Sequence, residues 1–194
     1  MEGWIIAVII IICIIIVILI VITIIVVVKL FQDKKNLPDP IESVDLNKYK
    51  GKWYEIAKLP FVFEKDCKNV TANYDLTSDG KIKVVNSCQN IYSNKIKESK
   101  GIGKPSKDVQ IIKSAILSPA KLDVTFFWPF TGKYWIFDLD KENYKYSLVG
   151  TPNKKNLWIL SRDKYISPEI YKNLVEKAKT LGFPVENLIK TIQQ

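Results

Sequence analysis

Histidine is absent from this chain, and arginine occurs once, as Arg162. The first absence removes Ser-His and Cys-His nucleophilic pairs and the commonest zinc ligand together, which argues against most hydrolase chemistry. Of 29 basic side chains, all but Arg162 are lysine. The two are not interchangeable where a planar group must stack on an aromatic ring or donate a fork of hydrogen bonds. Arg162 is therefore expected to do what a point charge cannot, with a buried tryptophan as its partner type; Gly51-Lys52-Trp53 supplies one far upstream. The alternative is a surface residue with no special task. Zinc-finger spacing and RNA-binding aromatic motifs are missing, and the lysines stand singly rather than in patches, so no nucleic-acid partner is expected.

What is present begins with an apolar run. Trp4 to Val28 is 25 residues of Ile, Val and Leu, broken after Trp4 only by Ala7, Cys13 and Thr23. As a helix it extends about 37 Å, enough to cross a hydrocarbon core of about 30 Å with some tilt. A cleavable signal peptide is the alternative; it wants a basic start, a shorter apolar stretch and a small-residue cleavage site, and Met1-Glu2-Gly3 and Val26-Val27-Val28-Lys29 supply none of these. Cys13 sits among isoleucines, which is no lipoprotein processing site. The expected organisation is a transmembrane anchor over residues 1–30, a polar linker over 31–42 with Pro38 and Pro40, and one domain over 43–194. The bilayer partner would be met through residues 4–28.

Beyond the linker, strand-like runs recur between turn signals, the pattern of a meandering all-β sheet or barrel. Gly51–Leu59, Val70–Leu76, Ile82–Asn86, Lys95–Lys104, Lys121–Phe126, Tyr134–Leu139, Tyr144–Gly150 and Leu157–Arg162 make eight strands in an order that suits up-and-down connections. Asp79-Gly80 offers a two-residue hairpin turn between the second and third. One helix follows. Ser167 is its N-cap, Pro168 its first residue, and Glu169 favours the positive end of its dipole. Ile170, Leu174, Val175, Ala178 and Leu181 form one apolar stripe, and Gly182 and Pro184 end the helix. A short strand over 185–192 closes the chain.

Gly51-x-Trp53 on the first strand, eight strands, a late helix and Arg162 closing the last strand resemble a lipocalin. Asp45-Leu46-Asn47-Lys48-Tyr49-x-Gly51-x-Trp53-Tyr54-Glu55-Ile56-Ala57, Val70-Thr71-Ala72-x-Tyr74-x-Leu76 and Trp158-Ile159-Leu160-Ser161-Arg162 are similar to the subgroup of bacterial outer-membrane lipocalins and apolipoprotein D. The resemblance covers roughly residues 43–192. It implies an eight-stranded antiparallel barrel with one C-terminal α-helix packed outside, preceded here by the membrane helix. It also implies a structural closure by Gly51, Trp53 and Arg162, with the guanidinium across the indole at the shut end. Bacterial relatives are tethered through a lipid-modified cysteine, where this chain offers a helix.

An eight-stranded barrel encloses room for one small ligand. Inward positions follow from alternation: Ala72 and Tyr74 on the second strand, with Val70 and Leu76; Val84 on the third, with Ile82; Leu122, Val124 and Phe126 on the fifth. Tyr134 and Ile136 serve the sixth, which is apolar on both faces. Tyr146 and Leu148 serve the seventh, on the reasoning that Lys145 points out. Trp158 and Leu160 share Arg162's parity on the eighth. Each residue either lines a cavity or fills a solid core. Glu55 shares Trp53's inward parity, and a carboxylate there must find a partner or hold a proton; a ligand headgroup, tyrosines or water would serve. The resemblance implies that the loop after the first strand lies at the barrel mouth, where Phe61-Val62-Phe63 with Phe127-Trp128-Pro129-Phe130 would give an apolar rim able to touch a bilayer and receive lipid.

Cys67 and Cys88 flank the second and third strands and fall near cross-strand register once a bulge is allowed. A disulfide is expected, which implies an oxidising compartment and a barrel on the extracytoplasmic side. Lys29, Lys34 and Lys35 after the helix lean the other way. Two free thiols are the alternative. Asn69-Val70-Thr71 matches a glycosylation sequon on a strand, a setting that suits coincidence. The expected function is a membrane-anchored carrier of a fatty acid or lysophospholipid, with no metal and no cofactor. A lipid-modifying enzyme on the same scaffold, or an interaction module with a solid barrel, are the other readings.

Overall fold

The computed structural model describes residues 2–35, 37–105, 110–112 and 115–194. Asn36 of the expected linker, and residues 106–109 and 113–114 of the expected barrel domain, lie outside them. Two compact units emerge, Met1–Leu37 and Pro38–Gln194. The first is helix α1, Glu2–Lys35, whose apolar residues are exposed along the whole expected span. The helix continues into the expected linker because no proline or glycine interrupts it before Pro38, the residue that forbids continuation. Among the described residues it is the one helix long and apolar enough to cross a membrane.

The second unit opens with β1 (Ser43–Asp45) and a single turn, α2 (Leu46–Tyr49), capped by Asp45, which accepts from Asn47 N at 2.9 Å. Then follow β2 (Gly51–Lys58), β3 (Cys67–Leu76), β4 (Ile82–Asn90) and β5 (Ile96–Pro105). After β6 (Gln110–Ile112) and β7 (Ala115–Pro119) come β8 (Lys121–Phe127), β9 (Phe130–Leu139), β10 (Tyr146–Gly150) and β11 (Leu157–Ser161). Helix α3 (Pro168–Thr180) and β12 (Ile189–Lys190) complete the chain. Strands β2, β3, β4, β5, β8, β9, β10 and β11 pair antiparallel in that order, and β11 pairs back to β2, so the sheet closes into an eight-stranded barrel. β1, β7 and β6 form a small separate sheet that the sequence pattern does not reveal.

The hairpin between β3 and β4 differs from expectation. Leu76 pairs Ile82, leaving a five-residue loop in which Thr77 N donates to Lys81 O, rather than a two-residue Asp79-Gly80 turn. A register shift near Asn69, which sits at φ 53°, then brings Cys67 and Cys88 together; they form a disulfide with Cα atoms 5.5 Å apart.

Apolar residues divide between two faces of the barrel wall. Trp53, Tyr74, Ile82, Val84, Leu122, Val124, Ile136, Val149 and Leu160 point inward. Ala57, Phe137, Leu148, Leu157 and Ile159 point outward and meet Leu174, Ala178 and Phe183 of the helical segment. Ser167 Oγ accepts from Ile170 N at 3.2 Å, starting α3 where expected, and Gly182 at φ +82° ends it. Burying each of Leu174 and Phe183 contributes about 1.5–3 kcal/mol, which holds the helix on the wall.

Two side chains expected inside the barrel lie outside it. Tyr146 and Leu148 face α3, and Ser147 and Val149 of the same strand face the interior. The inference from Lys145 fails because Tyr144, at φ 55°, is a turn residue, so alternation begins only at Tyr146. Lys145 and Tyr146 thus both lie outside.

Candidate functional site: a plugged floor and an open cavity

The floor is built around Arg162. Its guanidinium carbon lies 3.9 Å from the Trp53 ring centroid. Nε donates to Tyr144 O at 3.2 Å, and Nη1 to Lys52 O at 2.9 Å. Nη2 donates to Lys48 O, Tyr49 O and Lys50 O at 2.8, 3.2 and 3.0 Å. Three of these acceptors are carbonyls left free at the end of α2, where a cation is favoured. Gly51 allows the approach: it sits at φ +94°, and a Cβ there would lie 3.4 Å from Nη1. Above Trp53, whose indole N–H donates to Tyr49 O at 2.8 Å, the Tyr49 ring packs at 4.9 Å. Tyr134 OH then meets Tyr49 OH and Tyr74 OH, each at 2.8 Å. Burial pushes the Tyr49 phenol up to about 12, so this network is neutral and tightly held at ordinary pH.

Above the tyrosines lies a cavity of about 450 Å³. Of the residues expected to line it, Glu55, Ala72, Tyr74, Val84, Val124, Phe126, Tyr134, Trp158 and Leu160 do so. Leu122 and Ile136 do not: both face inward but pack in the solid lower core, and alternation specifies a face without specifying a height. Tyr146 and Leu148 are absent from the lining because they point out of the barrel. Phe61, Phe63, Phe127 and Phe130 line the mouth, and Phe61 meets Trp158 edge-on at 5.4 Å between centroids.

One wall is polar. Lys58 Nζ reaches Glu55 Oε1 at 3.3 Å, Glu64 Oε2 at 2.8 Å and Glu64 O at 3.1 Å, and Thr191 Oγ1 donates to Glu55 Oε1. Glu55's partners are thus a lysine and a threonine rather than tyrosines. Burial first, then the charge of Glu64, raises the Glu55 carboxyl to about 8. The sequence carried no signal for Lys58. Strict alternation from Trp53 puts Ala57 inside and Lys58 outside, but the β2–β11 register shifts between Ile159 and Leu160 and reverses both. The C-terminal tail completes this wall. β12 pairs with the far half of β2, and Gln193 Nε2 donates to Glu55 O and Val70 O at 2.9 and 2.8 Å, filling the seam where β2 and β3 diverge. Nearby, the Asn69 amide is engaged by Gln89 and Gln194 at 2.9 and 2.7 Å, so the sequon asparagine is a structural residue of this seam.

A closed, antiparallel barrel plugged at one end and hollow at the other defines a small-cavity β-barrel protein. A profile of the lipocalin-like domain family matches residues 44–193. The outer membrane lipoprotein Blc of Vibrio cholerae is 37% identical over 155 residues, covering 80% of this chain and 86% of that protein. Apolipoprotein D of Bos taurus is 35% identical over 164 residues, covering 80% of each. Insecticyanin from the tobacco hornworm Manduca sexta superposes with a TM-score of 0.60 at 25% identity, over 80% of this chain and 85% of that one. The chain belongs to the lipocalin-like family.

Proposed function

We propose that this protein is a membrane-anchored carrier that holds a small hydrophobic or amphipathic molecule, of the fatty acid or lysophospholipid class, in its barrel. The observation that carries the reading is the cavity: about 450 Å³, lined chiefly by apolar side chains and shut at one end by the Arg162 plug. Its volume falls in the range of about 300–1,000 Å³ that suits small-molecule sites, and it speaks against a solid interaction module. The reading is non-enzymatic: the two barrel cysteines are joined to each other, and Glu55 is engaged by Lys58 and Thr191 in the barrel wall.

The helix over residues 4–28 serves as a single-pass anchor in this reading, and the Cys67–Cys88 disulfide favours the extracytoplasmic side. The mouth suits transfer to and from lipid. Val62 is 85% exposed, Phe63 77% and Trp128 89%, a cluster of large apolar groups that water alone does not stabilise. Full-length protein in nanodiscs should release a copurifying amphiphile on extraction, identified by lipid mass spectrometry, and should take up a fluorescent fatty acid saturably, with lysolipid competing. Trp128→Asp should slow uptake from vesicles. Absence of saturable uptake refutes the carrier reading, and unchanged transfer by Trp128→Asp refutes the role of the rim.

A further inference from the structure

The polar wall has a chemical bias that the apolar lining does not reveal. Glu55, Lys58 and Glu64 place two carboxyls against one ammonium inside the barrel, so full ionisation leaves a surplus negative charge. Lys58 is engaged mainly by Glu64: it donates to Glu64 Oε2 at 2.8 Å and Glu64 O at 3.1 Å, and its ammonium lies 3.3 Å from Glu55 Oε1 as an ion pair. Lys133, on the cavity lining, is exposed and donates to Asp123 Oδ1 at 2.8 Å. The Tyr134 hydroxyl is tied to its two tyrosine neighbours. Acceptors remain on offer. Glu55 and Glu64 line the cavity, and so does Asn86, whose Oδ1 is buried without a hydrogen-bond partner. At this wall two carboxyls face one ammonium, and that ammonium is already paired. A carboxylate head placed here would meet like charge; a protonated amine would meet both glutamates.

We propose that this wall recognises a protonated amine, so that the cavity takes long-chain amphiphiles with an amine head in preference to neutral or carboxylate ones. The inference rests on the reading of the barrel as a carrier of amphiphiles, and among them it ranks an amine head above the carboxylate of a fatty acid. It has a proton linkage. Without ligand the surplus charge is relieved by a proton on Glu55, which burial and Glu64 hold to about pH 8. An ammonium group replaces that proton and releases it. The groups facing Glu55 are Lys58 on its own strand, Glu64 on the loop after β2, and the uncharged Thr191 and Gln193 of the tail; Tyr74 of β3 faces Glu64. The amine complex therefore carries fewer protons than the empty site. Its affinity should rise about tenfold per pH unit up to about 8 and level off above.

The test uses the full chain in phosphatidylcholine nanodiscs, with empty nanodiscs as reference and a neutral polarity-sensitive fluorophore as the cavity probe. Dodecylamine, dodecanol and dodecanoate are compared as displacers at about pH 6 and about pH 9, below and above the Glu55 transition. At the higher pH the amine should displace the probe about ten- to a hundredfold better than the alcohol, the worth of one charge-assisted hydrogen bond. The advantage should shrink at the lower pH, and dodecanoate should rank last at the higher one. Glu55→Gln should remove the pH dependence of the amine-to-alcohol ratio; where that variant fails to take up the probe, Glu64→Gln should lower the same ratio. Equal displacement by amine and alcohol at the higher pH, or a ratio untouched by both variants, overturns the assignment while leaving the carrier reading intact. A wild-type chain that takes up no probe overturns the carrier reading and this one with it.

Discussion

Replacing Arg162 by lysine keeps the charge and removes the plane. The guanidinium reaches five backbone carbonyls from three nitrogens and stacks 3.9 Å from the centre of the Trp53 ring. A lysine ammonium has three donors on one atom, and no single position faces Tyr144 O on one side and the carbonyls of α2 on the other. About two charge-assisted bonds are then lost, each worth about 1.5–3 kcal/mol when buried. The floor opens partly to solvent, so the lower end applies. Weakening of the stack adds part of about 0.5–2 kcal/mol. Re-solvation of some carbonyls returns part of this, and the net expectation is about 2–4 kcal/mol. For a barrel unit of this size about 2–4 °C of Tm accompanies each kcal/mol, so Arg162→Lys should melt about 5–15 °C lower. Near-UV circular dichroism of the full chain in a non-denaturing detergent reads the transition through Trp53. A fall under about 3 °C would show that a point charge suffices and refute the fork-and-stack account. A change in ligand selectivity without loss of stability would refute the separation of floor from site.

Glu55→Gln should change the pH dependence of stability. The native carboxyl holds its proton to about 8 against an ordinary value of 4.5, so the folded state binds more protons across that window. Stability therefore falls as pH rises from about 4.5 to about 8 and is flat above, by at most about 5 kcal/mol; the glutamine variant should lose the slope and unfold later in urea at high pH. Reduction, or Cys67→Ser with Cys88→Ser, opens a loop with a sequence separation of 21 and should cost about 3 kcal/mol, seen as a lower urea midpoint. Gln193→Ala removes the donor to Glu55 O and Val70 O from the seam and should cost about 1–3 kcal/mol, with faster amide exchange at the tail and the open half of β2.

The barrel, the C-terminal helix and the N-terminal apolar helix were legible because each rests on a compositional or periodic signal or a local cap. Val70 to Leu76 alternates, Ser167-Pro168-Glu169 caps a helix with one apolar stripe, and Trp4 to Val28 is an unbroken apolar run. The floor was legible because one residue type was rare. The departures share a cause. Tyr146 and Leu148 were assigned inward on the reasoning that Lys145 points out, but Tyr144 is a turn residue at φ 55° and the alternation starts only at Tyr146; Lys58 escaped notice because the β2–β11 bulge reverses parity near Ile56. Leu122 and Ile136 face inward as alternation requires, yet lie too low to touch the cavity. A period of two reports the side of a strand; it is silent on bulges and on height within the barrel.

The bulge that hid Lys58 also produces the polar wall. Without the parity reversal an alanine would face the interior beside Glu55, and the carboxyl would have only Thr191 to meet it. With it, Lys58 enters and draws in Glu64 from the loop that also carries Phe61 and Phe63 to the mouth. The same end of β2 has parted from β3, and the tail fills the gap with Thr191 and Gln193. Local irregularity is thus concentrated in the upper half of one strand, where the cavity needs polar groups. The lower half keeps regular pairing from Gly51 to Tyr54, with Trp53 under the fork of Arg162. If the polar wall sets selectivity as proposed, stability and selectivity reside at opposite ends of β2: Arg162→Lys should lower the melting temperature with the amine-to-alcohol ratio unchanged, and Glu55→Gln should move that ratio while raising stability at high pH.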